Sequence, residues 1–250
     1  MKMEIEVDDG RIRKPEGWGI GINLVAEKGG QAADTAASIA QAHEALRPAW
    51  FQTWTVALGA EWMGFAPACE RGWTGTNAPT EAEIAAVRGR TVLLLNEPEA
   101  IWIPEMAAQY TAVSLWRLRR VGVPFHWAAP SCNINGANMD WLAAYAQELW
   151  RLGGEMPTTW AIHLYSPKAD WAETHLQRFW LWHRSHGGGR RVLITECGAG
   201  KGQDAGTQAL MMPWFAGLLA DRRVQGAAWF AAYDDEDRGH YPGVMDNEPR

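Results

Sequence analysis

Apolar and polar positions alternate in two rhythms along this chain. Residues 17–25 (Gly-Trp-Gly-Ile-Gly-Ile-Asn-Leu-Val) interleave small and branched side chains with the two-residue period of a strand. Residues 31–46 are Ala-rich and change to the helical period. The rhythm then repeats as a strand at 48–54, a weak strand at 61–66, a short helix at 80–88, a strand at 90–96 and a long helix at 105–120. The second half is more regular. It reads as a strand at 124–129, the polar loop Ser131–Asn138, a helix at 139–152, a strand at 158–165 and a helix at 169–185. Gly187-Gly188-Gly189 breaks that helix before a strand at 191–196, a helix at 206–220 and a last strand at 226–233.

Eight strands separated mostly by helices predict an α/β fold. The expected architecture is a parallel sheet closed into a compact (β/α)8 TIM barrel, with the second helix nearly absent and the eighth missing. An open doubly wound sheet is the alternative. Its usual Gly-x-Gly-x-x-Gly turn is absent, and only Gly29-Gly30 follows the first strand. No repeat, linker or low-complexity segment divides residues 1–250, so a single domain is expected.

Composition narrows the function classes. Hydrophobic residues make up 47% and charged residues 21%, enough for a sizeable core. Net charge is −6 and no run of Lys or Arg exceeds two, which argues against nucleic acid as a partner. The three cysteines form no Cys-x-x-Cys, so neither a disulfide framework nor a zinc site is expected. Residues 1–16 are charged and lack the apolar centre of a secretory signal, and no apolar stretch reaches membrane-spanning length. The expectation is a monomer away from membranes, cytoplasmic as written, or secreted if a signal was removed. Tryptophan is the outlier, with 16 Trp against 5 Tyr and 6 Phe. Trp50, Trp54, Trp62, Trp73, Trp102, Trp127 and Trp229 fall near strand ends or in loops. There a flat indole can stack on a sugar ring, or simply fill core.

Two strings carry the candidate chemistry: Leu93-Leu94-Leu95-Asn96-Glu97-Pro98 and Val192-Leu193-Ile194-Thr195-Glu196-Cys197-Gly198. Each is an apolar strand that ends in a glutamate. Two carboxyl groups delivered to one sheet edge are what glycoside hydrolysis needs, one to protonate the leaving oxygen and one to attack the anomeric carbon. Strand alternation puts Val192, Ile194 and Glu196 in one phase, Ala161, His163 and Tyr165 in another, and Ala227, Trp229 and Ala231 in a third. With Gly19, Gly21 and Asn23 in phase on the first strand, the expected mouth is lined by Asn23, Glu97, His163, Tyr165 and Trp229.

These motifs resemble glycoside hydrolase clan A, and the resemblance spans roughly the whole chain. Asn96-Glu97-Pro98, His163-Leu164-Tyr165, Thr195-Glu196-Cys197-Gly198 and Trp229 match the clan's motifs in order and strand placement. Within the clan the chain is most similar to the glycosyl hydrolase catalytic core family of endo-β-1,3-glucanases, with Glu99 standing where that family often has Asp. The resemblance implies a retaining endo-acting β-glycosidase with Glu97 as acid/base and Glu196 as nucleophile. It implies a Tyr165 hydroxyl bond to Glu196, Asn96 on the sugar 2-OH and Trp229 as the floor of the sugar. His163 is either a substrate contact or a satisfied buried histidine. Gln52, Trp54 and Trp127 are candidate outer sugar contacts, with core the alternative. The partner is then a polysaccharide or oligosaccharide. A metal-dependent hydrolase would want His-x-His on a strand, which the seven histidines do not supply, so no metal or cofactor is expected. A barrel that binds glycans without cutting them is the second rival.

Overall fold

Alternation within the strands decides how this sheet is filled. The computed structural model describes residues 7–8, 11–12, 18–21, 50–52, 65–68, 91–120, 126–135, 138–153, 155–200 and 203–230. The expected helices at 31–46 and 80–88, the expected mouth residues Asn23 and Trp54, and residues 231–250 lie outside them, and Gln52 is described only as a strand position. Val7–Asp8 and Arg11–Ile12 form a short antiparallel ladder. The main sheet has strands β1 (Trp18–Gly21), β2 (Trp50–Gln52), β3 (Phe65–Ala68), β4 (Thr91–Leu94), β5 (His126–Asn133), β6 (Thr159–Tyr165), β7 (Arg191–Gly198) and β8 (Val224–Phe230). Helices α1 (Pro104–Arg120), α2 (Asn138–Arg151), α3 (Ala169–His186) and α4 (Ala205–Leu219) separate the last five strands.

The eight strands lie in the order β2-β1-β8-β7-β6-β5-β4-β3, and every pair is parallel. The chain's first sheet strand therefore pairs with its last. The outer strands β2 and β3 approach within 8 Å between Cα atoms, with no ladder described between them. Parallel strands joined through helices are covered by those helices, which is why they read as nearly continuous apolar runs. No described helix is long and apolar enough to cross a membrane.

Each strand has a helix-side face and an opposite face. Trp127, Trp160, Ile162, Leu164, Val192, Ile194, Ala227 and Trp229 belong to the large helix-side core. Trp160 packs edge-on against Trp182 of α3 at 5.1 Å, and Trp229 edge-on against Phe215 of α4 at 5.2 Å. The opposite face carries the small cluster Leu93, Ala128, Ala161, Leu193 and Ala228.

This partition corrects two expectations. Trp127 and Trp229 are 0% and 1% exposed and are core, not rings at the mouth. Val192 and Ile194 are not in phase with Glu196 either. Ile162 pairs with Ile194 and His163 with Glu196, so Thr195 is an extra residue, a bulge that shifts the phase by one. Without it Thr195 would follow Leu193 to the face opposite the helices. With it, Glu196 takes that place. A second shift falls at Ser131, between the pairs Pro130–Ala161 and Cys132–Ile162. Ser131 through Asn133 thus extend β5 rather than opening the expected polar loop.

Candidate active site

Glu97, just past β4, comes together with His163 and Glu196 near the C-terminal ends of β6 and β7. One oxygen of each carboxylate and one ring nitrogen of His163 lie within 4.8 Å of one another. A single atom, His163 Nδ1, stands 3.1 Å from Glu97 Oε1 and 3.2 Å from Glu196 Oε2. The Tyr165 hydroxyl donates to Glu196 Oε2 at 2.5 Å. His163 and Tyr165 are two apart on β6 and so share its face, and Glu196 joins them through the bulge.

The two carboxylates differ in setting. The Glu196 side chain is only 7% exposed, whereas that of Glu97 is 36% exposed. Glu196 lies within its strand, just after the bulge, pinned by a hydroxyl and an imidazole. Glu97 lies on a turn outside its strand. β4 ends at Leu94, Leu95 takes φ 66°, and Glu97 takes φ 44° and ψ 50°, both left-handed. Such backbone is uncommon for residues other than glycine and persists where the surroundings enforce it. Pro98 opens a 3-10 turn, Pro98–Ala100, that swings the chain toward α1.

Burial of the His163 ring works against its protonation. The charge of Glu196, the hydrogen bond to Glu97 and the charges of Glu97 and Glu99 outweigh it, so the ring's pKa lies above its ordinary 6.5. A folded-state pKa above the unfolded one gives stability that is complete below about 6.5 and is lost as pH rises through the folded value. Wild type should therefore exceed His163→Gln in thermal midpoint by a margin that shrinks steadily from pH 6 to pH 9. A margin independent of pH in parallel melting curves would remove the imidazolium from this site.

Neighbours complete the pocket. Phe230 ends β8 and meets Tyr165 edge-on at 6.0 Å. It holds the place expected for Trp229, because the inward phase of β8 runs through Ala228. A Cβ on Gly198 would come 3.1 Å from the Phe230 carbonyl, so the glycine after Glu196 permits this close approach. Asn135 Nδ2 donates to the Tyr165 carbonyl at 2.5 Å. Asn96 is half-buried beside Glu97, and Trp102 is half-buried against Tyr110 at 4.7 Å. Glu99 is the residue the sequence noted only as a departure from pattern. Its Oε1 accepts from the Asn133 amide at 2.8 Å, and burial pushes its carboxyl above the ordinary carboxylate range. Glu97, His163 and Glu196 form the one trio of potential metal ligands brought together among the described residues. The same atoms are already engaged with one another through His163 Nδ1.

The model of the glycosyl hydrolase catalytic core family matches residues 50–248, which contain all three of these side chains. The chain belongs to that family. No curated protein matches it closely. Among solved structures it is similar to a GH128 subgroup VI exo-β-1,3-glucanase from Aureobasidium namibiae, at 16% identity and TM-score 0.67, covering 89% of this chain and 85% of that one. A GH128 subgroup I endo-β-1,3-glucanase from Amycolatopsis mediterranei, in complex with laminaritriose, matches at 19% identity and TM-score 0.55 over 86% and 88%. A GH128 subgroup VII oligosaccharide-binding protein from Cryptococcus neoformans matches at 13% identity and TM-score 0.53 over 86% and 84%. At such identities the likeness concerns the fold. Proteins named as glucanases and one named as an oligosaccharide-binding protein thus share this fold.

Proposed function

We propose that this chain is a retaining β-1,3-glucan hydrolase, with Glu97 as acid/base and Glu196 as nucleophile. The observation that carries the reading is the convergence of both carboxylates on His163 within 4.8 Å, in a chain of a glycosyl hydrolase family. Retaining enzymes hold their two carboxyl groups about 5–5.5 Å apart, too close for a water to stand between nucleophile and sugar. Closure of β2 on β3 would complete a (β/α)8 barrel, acting as one catalytic domain with this cluster at its C-terminal face.

The chemistry runs in two steps. Glu196 attacks the anomeric carbon as Glu97 gives its proton to the departing glycosidic oxygen. The bond to the leaving sugar breaks and an ester to Glu196 forms. Glu97, now ionised, takes a proton from water as that water attacks the same carbon and releases Glu196. The partly open setting of Glu97 suits a group that meets leaving sugar and then water. The Tyr165 hydroxyl and His163 hold Glu196 ionised and oriented. Asn96 is proposed to hold the sugar 2-OH. Asn23, Gln52 and Trp54 remain proposed contacts for outer sugars.

Proton NMR of laminarin or laminari-oligosaccharide digestion tests the reading. The first product should be the β-anomer, with the α-anomer appearing only by mutarotation. An α-anomer formed first refutes retention. No product, together with oligosaccharide binding by calorimetry, establishes instead the binding role for which the Cryptococcus neoformans neighbour is named.

A further inference from the structure

β5 runs well past the end of β4. Leu93 pairs with Ala128, β4 stops at Leu94, and β5 continues to Asn133 while pairing with β6 on its other side. Beyond Leu94, polar groups on the β4 side of β5 have lost a strand partner, and backbone groups in such a place must find another. The turn after β4 supplies it. The Glu97 amide donates to the Ser131 carbonyl at 3.1 Å, and the Asn133 amide donates to Glu99 Oε1 at 2.8 Å. A backbone bond and a side-chain bond thus stand in for two rungs of the missing ladder. Both rungs are fixed to the bulged, left-handed part of β5, where Ser131 takes φ 49°.

Between the two clasps sits the strained backbone of Glu97. We propose that Glu99 is a positioning residue for Glu97: its clasp on the Asn133 amide holds the left-handed turn from which Glu97 reaches His163. The inference rests on the reading of Glu97 as acid/base. Glu99 acts through that turn and takes no part in bond making. Its second oxygen is buried with no hydrogen-bond partner among the described residues, and burial raises its pKa above the ordinary carboxylate range, so the clasp does not call for a negative charge. A neutral group that still offers an acceptor oxygen should therefore serve as well. A shorter acid should not, because an Asp carboxyl one methylene nearer the backbone falls short of the Asn133 amide.

Three substitutions separate clasp, reach and bulk. Glu99→Gln keeps an acceptor oxygen, Glu99→Met keeps the bulk alone, and Glu99→Asp keeps the carboxyl but not the reach. Each is assayed on laminarin and on dinitrophenyl β-laminaribioside, and each is crystallised. Glu99→Met and Glu99→Asp should lose roughly ten- to hundredfold in kcat on laminarin, the scale of a misplaced catalytic group. On the dinitrophenyl substrate, whose leaving group scarcely needs a proton, the first step should change by no more than about threefold. Glu99→Gln should stay within about threefold of wild type on both. Equal losses on both substrates, or Glu99→Gln falling with Glu99→Met, overturns the clasp. The crystal structures read the same point without turnover. In Glu99→Met, Glu97 Oε1 should lie beyond about 4 Å from His163 Nδ1, out of hydrogen-bond range. A Glu97 left in place overturns the inference even if wild type hydrolyses nothing. A wild type without activity, in which Glu97 does move, overturns only the reading of Glu97 as acid/base. Should Glu99→Met fail to fold, Glu99→Asp carries both arms.

Discussion

Glu196→Ala is expected to lose hydrolysis of every substrate, polysaccharide and activated aryl glycoside alike, by on the order of 10⁴- to 10⁶-fold in kcat. Without the carboxylate no covalent intermediate forms, and no leaving group, however good, can compensate. The site is arranged around this group. Glu196 is buried, its Oε2 accepts from the Tyr165 hydroxyl, and the same oxygen lies 3.2 Å from His163 Nδ1. Removing it also leaves that hydroxyl and ring nitrogen without their shared acceptor, so the variant should lose stability too, by about 1–3 kcal/mol. Glu196→Gln separates the effects, because the amide fills the space and still accepts from Tyr165. It should fold like wild type and be as inactive as Glu196→Ala. A 2-fluoro-β-laminaribioside with an activated leaving group should add the mass of one 2-fluorolaminaribiosyl unit to the wild-type peptide that contains Glu196, and to neither variant. Retention of more than about 1% of activity in Glu196→Gln would place the nucleophile elsewhere.

Much of this site was legible in the sequence for a simple reason. A parallel strand that ends in a carboxylate delivers it to the edge where helices do not cover it, so Leu93 to Pro98 and Val192 to Gly198 announced both groups. Tyr165 was placed correctly against Glu196, because His163 and Tyr165 follow the unbroken period of β6. The errors come where the period breaks. Pattern alone has no means of counting the extra residue at Thr195, so Val192 and Ile194 were put on the wrong face although Glu196 was not. On β8 the same one-step ambiguity exchanged Trp229 for Phe230, and a large ring with small neighbours reads equally well in either phase. Trp127 sits low on β5, opposite Val92 and far from the extended end at Asn133. Its ring fills helix-side core.

Glu99 escaped for a different reason. Its role depends on a backbone amide 34 residues away, and no local spacing encodes that contact. The left-handed turn at Glu97 was equally hidden, since neither Leu95 nor Glu97 is the glycine or asparagine that normally marks one. Strain of this kind is found at functional sites, where the surroundings hold a residue against its preference. Here the consequence is that the Glu97 side chain is set outside its strand and partly exposed, beside a Glu196 that is closed in.

That difference predicts how the two glutamates divide the work. Glu97→Ala should lose cleavage of laminarin by roughly 10²- to 10⁴-fold, the range for removing a general acid. A dinitrophenyl β-laminaribioside departs without help, so its first step should remain within about tenfold of wild type and deliver a burst of dinitrophenolate. The second step then stalls, because no base remains to take the proton from water. Azide needs no such base. Added azide should attack the anomeric carbon of the sugar ester, expel the Glu196 carboxylate and restore turnover, giving a β-glycosyl azide that NMR distinguishes from the α form. Azide rescue confined to Glu196→Ala, with an α-azide as product, would exchange the two roles. Unchanged laminarin cleavage in Glu97→Ala would take Glu97 out of the reaction, and with it the purpose proposed for the Glu99 clasp.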